Sequence, residues 1–450
     1  MLRTRQLLGY GAGDAANNLT YAMVGSFLLL YYTDVAHIDA AAAGTIFLVV
    51  RIWDGLADLL AGRLVDRTNT RWGKFRPWLL FGSLPLLLLG AACFWVPADW
   101  SPTGKLVYAY LTYIAFGTAY SLVNIPYGAL AAASTQDPVQ RSKLATARTM
   151  GAAATTLLLS VVISPQVKGS GDLQRTLLVT TLVFVVVGVA LYLFSFGTAR
   201  EAVQRPPDRI TLRGSARALA GNRPLMLLCA SSLAFLVAQF GLQSIGIYYA
   251  RDVLGDPALY TALIGAQTGM YFLAPVFVPW LVRRIDKRPA YLLGCLVWTV
   301  GTLGLLLAPA SALWLVVVCF GLVGAGLAVV ATLQWSLEAD TVEYGQWRTG
   351  TRAEGATYAV YSFVRKVGQA LGGAAVSYTL ALAGYSGTAA VQSPEAVWGI
   401  RIATGLIPGI AALIALAVML AYPLSRARFQ EITAELDRRR SSHVDAFGIR

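Results

Sequence analysis

Apolar stretches of about 20 residues, the length needed to cross a bilayer as a helix, follow one another along almost the whole chain. They fall near 12–33, 43–65, 77–97, 106–131, 145–165 and 177–197, then near 223–250, 260–282, 289–309, 312–337, 355–383 and 398–422. Such a pattern leaves one fold class, an all-α membrane protein of twelve transmembrane helices. Composition agrees: 13% of the 450 residues are charged, 56% are hydrophobic, and the mean hydropathy is +0.59. A soluble chain carries about twice that charged fraction. The opening MLRTRQLLGYGAGDAANN is basic but runs into polar residues rather than a short apolar run and cleavage site, so the first span is expected to be retained.

The formal charge of +13 alone fits a nucleic-acid binder, but the placement of the basic residues excludes that reading. Arg3 and Arg5 precede the first span, and Arg67, Arg71, Lys74 and Arg76 fill the second connection. Arg141 and Lys143 lie in the fourth, Arg200 to Arg217 in the sixth, Arg283 to Arg288 in the eighth, and Arg348 and Arg352 in the tenth. The odd-numbered connections hold only Lys105, Lys168, Arg175 and Arg251. Positive charge stays on the cytoplasmic side, so both termini are expected there, in a multi-pass protein of the bacterial inner membrane. Cys93, Cys229, Cys295 and Cys319 are scattered singly through apolar segments and read as small buried hydrophobes, not as a disulfide framework or metal site. His37 and His443 both lie outside the spans.

The long basic segment TAREAVQRPPDRITLRGSARALAGNRP splits the chain into two sets of six spans. KFRPWLLFG at 74–82 opens the third span and DKRPAYLLG at 286–294 opens the ninth, an internal echo. The expected organisation is a six-helix bundle at 1–197, a cytoplasmic linker at 198–222, a second bundle at 223–422 and a tail at 423–450. A duplicated unit of this kind suits a transporter that rocks two bundles about a central site. The tail FQEITAELDRRR reads as an amphipathic helix without evident chemistry.

Within the second span, RIWDGLADLLAGRLVD places Asp54 and Asp58 on one helix face, with Arg51 a turn earlier. An unpaired acid in hydrocarbon costs at least ~3 kcal/mol, so these residues must face a partner, a cavity or an ion. An Arg51–Asp54 pair would account for one acid and leave Asp58 without an evident countercharge. Two close carboxylates raise the proton affinity of at least one of them or draw in a small cation. Either outcome neutralises the site.

Other polar groups interrupt apolar helices. Asp14, Asn17, Asn18 and Tyr21 form a stripe on the first span, and Asn124 and Tyr127 lie on the fourth. Arg148 stands alone on the fifth, and Arg365 and Lys366 are neighbours on the eleventh. Such a face suits a hydroxyl-rich solute, with aromatics for its apolar faces. Plainer readings stand beside this one. Asn17 and Asn18 can knit helices together, Arg148 can snorkel to the surface, and Lys366 can pair with Asp54 or Asp58 instead of lining a cavity. Arg365, about 100° away from Lys366, is the candidate partner between bundles.

Three segments, RIWDGLADLLAGRLVDRTNTRWGKFRPW (51–78), SLVNIPYGALAAASTQ (121–136) and SLEADTVEYGQWRTGTRAEGATY (336–358), resemble the glycoside–pentoside–hexuronide:cation symporters of the major facilitator superfamily. The likeness runs over nearly the whole chain and is greatest to the bacterial glucuronide carriers, notably at NTRWGKFRPWLLFG, YSLVNIPYG and LEADTVEYG. It implies the major facilitator fold, Asp54 and Asp58 as the cation-site aspartates, and Ser121 as a hydroxyl of that site. Ala57 stands where sodium-using relatives have an asparagine, which removes an oxygen that a hard cation wants. H⁺ is therefore expected as the coupling ion, with Na⁺ at Asp54 and Asp58 the alternative. Asn18 and Asn124 stand where melibiose-type relatives have sugar-binding aspartates, while Arg148 and Lys366 match basic residues that they keep. The pocket is thus expected to be net positive and to take a substrate with its own carboxylate, a glucuronide. Gly128 replaces a tryptophan of those relatives, which puts sugar stacking there in doubt.

The resulting expectation is a monomeric symporter importing glucuronides with H⁺, binding no nucleic acid and holding no metal or cofactor. Its substrate contacts would be Asp14, Asn17, Asn18, Tyr21, Asn124, Tyr127, Arg148 and Lys366. Asp66, Arg141, Glu343 and Arg352 would form salt bridges closing the inner side. A carrier of neutral xylosides or galactosides, coupled to H⁺ or Na⁺, is the alternative. The absence of GxSxG, HExxH and phosphate-loop motifs argues against a membrane enzyme, and the absence of rings of repeated polar residues against a channel.

Overall fold

The computed structural model describes residues 3–68, 70–135, 138–169, 172–201, 221–350, 354–389 and 391–447. Long helices account for nearly all of them. In the first half these are α1 (Thr4–Leu30), α2 (Ala40–Arg67), α3 (Arg76–Ala92), α4 (Pro102–Ser134), α5 (Pro138–Gly169) and α6 (Leu173–Thr198). In the second half they are α7 (Arg223–Tyr248), α8 (Leu259–Ile285), α9 (Lys287–Leu307), α10 (Leu313–Thr349), α11 (Glu354–Leu382), and α12 (Pro394–Arg401) followed by α13 (Ile407–Leu420). The tail is a further helix, α14 (Arg426–Phe447). Several helices start where a short polar side chain accepts from free amides: Asp39 before α2, Ser101 before α4, Asp172 before α6 and Asn222 before α7.

Each expected span coincides with one of these helical elements, but hydropathy supports fewer. Among the described residues, eight helices are long and apolar enough to cross a membrane, or nine if the bent α8 counts as one span. α3 is apolar but only 17 residues long. α1 and α11 are long enough, at 27 and 29 residues, but are interrupted by Asp14, Asn17 and Asn18 in one and Arg365 and Lys366 in the other. The two long helices that fail the apolarity test both carry candidate site residues, although α2, α4 and α5, which carry the others, pass it.

The two halves repeat one packing scheme. α1 packs on α5 and α6, as α7 packs on α11 and α13. α2 and α3 both pack on α4, as α8 and α9 both pack on α10, and α3 meets α6 as α9 meets α13. A π-helical turn extends α1 at Tyr31–Val35 and α7 at Tyr249–Val253, placing an aspartate, Asp34 or Asp252, at the same point of each turn. The halves touch through α2 on α11, α5 on α8 and α1 on α7.

Among the described residues, the hydrogen bonds between halves lie at the end away from the termini, or no deeper than Asp54 and Asp58. Arg251 pairs with Asp34 across the halves and also binds Asp252 and the Tyr385 hydroxyl. Tyr385 donates to Asp34 Oδ1 at 2.9 Å, and Thr33 shares a 2.9 Å hydrogen bond with Tyr248. Gln243 donates to Ser26, Thr261 to the Ser160 carbonyl, and Thr45 meets Tyr378. An added Cβ at Gly62 of α2, or at Gly265 or Gly269 of α8, would meet nothing within 4 Å. The halves therefore close at one end and part toward the other.

Lipid supplies no hydrophobic force between helices, so close approach through small residues holds them together. α9 and α10 show this. A Cβ on Gly326 would lie 2.6 Å from the Gly294 carbonyl oxygen and 2.7 Å from the Trp298 amide nitrogen, and neither backbone atom can swing aside. Gly326→Leu should lower stability by at least ~2 kcal/mol, as overpacking does elsewhere. Thermal unfolding of the purified protein in detergent measures it, and an unchanged midpoint would contradict this contact.

Candidate functional site

The second-span acids take separate partners from opposite sides. Asp54, 4% exposed, accepts from Arg51 Nη1 at 3.1 Å through Oδ2. Its Oδ1 points at α4 beside Gly117 and has no hydrogen-bond partner. One turn further along α4, the buried Ser121 Oγ also lacks a partner. Asp58 forms an ion pair with Lys366, which comes from α11 in the other half and also donates to the Asp54 carbonyl at 3.2 Å. Of the readings open for Lys366, pairing with Asp58 is the one formed, and it supplies the countercharge that α2 itself lacks. That partner is invisible in α2 because it lies more than 300 residues away in the chain.

A second cluster joins α1, α4 and α5. Arg148 Nε donates to Asp14 Oδ1 at 2.9 Å, while Asn18 donates to Asp14 Oδ2 at 2.9 Å. The Arg148 guanidinium lies 5.5 Å from the centre of the Tyr127 ring, which stacks on Tyr10 at 4.7 Å. Tyr127 donates to the Tyr10 carbonyl at 2.5 Å. A Cβ at Gly128 would have Arg148 Nη1 4.0 Å away, so the glycine leaves the guanidinium room where a larger side chain would press on it. Arg148 is therefore held by Asp14 rather than reaching for the membrane surface.

Between the clusters, Tyr21 stacks on Tyr120 at 4.7 Å and lies under the Arg51 guanidinium at 5.3 Å. Its hydroxyl donates to Gln369 on α11 at 2.5 Å, a further bridge between halves that sequence reasoning missed. Asn124 is half-buried, and its Oδ1 has no partner. Asn17 faces the other way, accepting from Tyr192 of α6 at 2.6 Å within the first half. The stripe read from the first span thus divides. Asp14, Asn18 and Tyr21 meet the groups of α4, α5 and α11, whereas Asn17 knits α1 to α6.

The charge balance also differs from expectation. Asp14 with Arg148, Asp54 with Arg51, and Asp58 with Lys366 are three acids matched by three bases, so these groups together are neutral rather than positive. Counting basic residues against two missing aspartates left out the acids that remain, Asp14, Asp54 and Asp58, each of which takes up one base. Arg365, the expected partner between bundles, instead stays within its own half, 5.1 Å over the Trp335 ring. Of the gating residues, Glu343 is half-buried on α10. Arg352 and the side chains of Asp66 and Arg141 lie outside the described residues.

Arg148→Ala should leave Asp14 buried without its charge partner and cost on the order of 2 kcal/mol, less than a fully buried pair because Arg148 is partly exposed. Adding Asp14→Asn should recover at least half of the loss in thermal midpoint. Strictly additive losses would show that the two residues are not coupled.

Comparison with known proteins follows this geometry. A family profile described as MFS/sugar transport protein matches residues 9–426. The chain is 44% identical to a glucuronide carrier protein homolog of Escherichia coli (strain K12), over 98% of this chain and 96% of that protein. It is 31% identical to a putative glycoside/cation symporter, YagG, of the same organism, over 99% of this chain and 97% of that protein. In fold it is similar to a bacterial homolog of the human lysosomal transporter Spinster, with a TM-score of 0.71 at 12% identity, covering 95% of this chain and all of that one.

Proposed function

Because this chain belongs to the MFS/sugar transport protein family, we propose that it imports glucuronides together with protons by alternating access. Membership makes it a multi-pass membrane transporter rather than an enzyme, and its relatives make it a sugar symporter. The observation that carries the finer reading is the ion pair between Asp58 of α2 and Lys366 of α11, a bond between the two halves at the depth of the buried acids.

The pair works as a switch between two charge states. While Asp58 is ionised it holds Lys366. A proton on the Asp58 carboxylate removes the negative charge, and the ammonium is released to a new anion. A substrate carboxylate is that anion, so proton and glucuronide enter together and the site stays neutral throughout. With the cation gone and the sugar absent, Asp58 and Lys366 re-form their pair, and the empty carrier reorients with neither of them left unpaired. Asp54 and Ser121 offer the remaining free oxygens beside this switch. A proton suits the site better than Na⁺, because Arg51 and Lys366 already place positive charge against both acids.

The packed sets 1–197 and 223–422 are the rocking units, and one copy of the chain carries the whole site. With basic connections and both termini in the cytoplasm, the closed end lies on the periplasmic side and the cleft opens inward. Arg251, Asp34 and Tyr385 then form the outer latch, which must break for the substrate to enter. A carrier of neutral glycosides is the second reading, favoured by the equal number of acids and bases. Competition by glucuronides and neutral glycosides for one labelled substrate separates the two.

Asp58→Asn should abolish uphill accumulation of a labelled glucuronide in vesicles with an imposed proton gradient, because the side chain can no longer alternate between charge states. Accumulation at the wild-type level would refute the role of Asp58. Arg251→Ala should favour the outward-open state, read as faster labelling of a cysteine at Ser26 by an impermeant thiol reagent applied from outside. The four native cysteines are buried and give little background.

A further inference from the structure

Four basic side chains interrupt the apolar stretches of α2, α5 and α11, namely Arg51, Arg148, Arg365 and Lys366, and three of them are ion-paired: Arg51 with Asp54, Arg148 with Asp14, and Lys366 with Asp58. Arg365 is the exception. Among the described residues it makes no ion pair. Its guanidinium lies over the Trp335 ring at 5.1 Å, close to Tyr361 and Tyr271. The charge of Glu338 reaches it from beyond ion-pair distance. From this we infer that Arg365 is the fixed anchor for the anionic group of the substrate, a sugar carboxylate held by two parallel N–H donors.

Position supports the assignment. Arg365 is on α11, Trp335 is on α10 and Tyr271 is on α8. α8 and α11 are the second-half helices that meet α5 and α2 of the first half. Arg365 therefore lies on a helix through which the second half meets the first. Trp335, 46% exposed, lies against one face of the guanidinium. A stacked guanidinium keeps its planar fork available for a carboxylate. An unpaired arginine at this depth is costly unless its cavity supplies water or an anion, and the other three cations have been given protein acids.

The inference rests on the proposed import of glucuronides and deepens it. Arg365 and Lys366 are consecutive on α11 but point about 100° apart, so an anion held by the first is joined by the ammonium of the second only when Asp58 takes a proton and frees that long side chain to turn. Arg365 attracts the substrate whatever the charge on Asp58, and Lys366 closes on it only after protonation. Recognition and coupling thus sit on adjacent residues of one helix.

The test measures binding of 4-nitrophenyl glucuronide and its uncharged counterpart, 4-nitrophenyl glucoside, to the purified full chain by calorimetry. Arg365→Gln should weaken the glucuronide on the order of 100-fold, the loss of two hydrogen bonds to a charged group. It should change glucoside affinity by less than about threefold, since the neutral sugar makes no such bond. Equal losses for both sugars, or an unchanged glucuronide affinity, would overturn the anchor. If Arg365→Gln does not fold, Arg365→Lys decides. It keeps the charge but not the fork, so an undiminished glucuronide affinity would overturn the two-donor clamp. Absence of glucuronide binding by the unaltered protein would instead sink the proposed substrate itself, a different result from either.

Discussion

A charge inside the bilayer must meet an opposite charge, and the interior of this protein is arranged around that demand. Asp14, Asp54 and Asp58 each have a basic partner. Two of the three pairs lie within the first half. The third crosses to the second half, and that difference gives it mechanical consequence. A pair inside one bundle only stiffens it, whereas a pair across bundles has an energy that changes when the bundles move. Lys366 therefore ties the charge on Asp58 in one half to the position of the other.

The rest of the architecture makes room for this link. Glycines let helices within a half pack backbone to backbone, as Gly326 does against Gly294 and Trp298. Contact between the halves includes several polar bonds: Gln243 to Ser26, Thr261 to Ser160, Tyr21 to Gln369. Such bonds can be exchanged for water when a cleft opens, which close apolar packing cannot do at similar cost. Rigid halves joined by exchangeable bonds are what a rocking motion requires. The repeated packing, with α1 to α6 mirrored in α7 to α13, gives the two halves matching surfaces at both α2–α11 and α5–α8.

Polarity sits where function needs it and hydropathy suffers accordingly. α1 and α11 fall below the apolarity of a simple span because Asp14, Asn17, Asn18, Arg365 and Lys366 are in them. These helices face the cleft or their neighbours more than lipid, so their polar groups find partners. These two helices weaken a count of spans and carry part of the site, while α2, α4 and α5 carry the rest and still pass as spans.

What the residue order decided on its own was local. Segment length and apolarity set the helices, basic connections set the expected orientation, and i, i+4 spacing put Asp54 and Asp58 on one face. What it could not decide was pairing at a distance. Whether Lys366 lines a cavity or meets an acid, whether Asn17 faces the cleft or α6, and whether Arg365 bridges the halves or rests on Trp335 depend on how helices hundreds of residues apart are rotated against one another. Helical periodicity determines which side chains share a face, but only packed neighbours determine what that face touches. For that reason the acids were legible in the sequence, while the charge state of the site belongs to the tertiary structure.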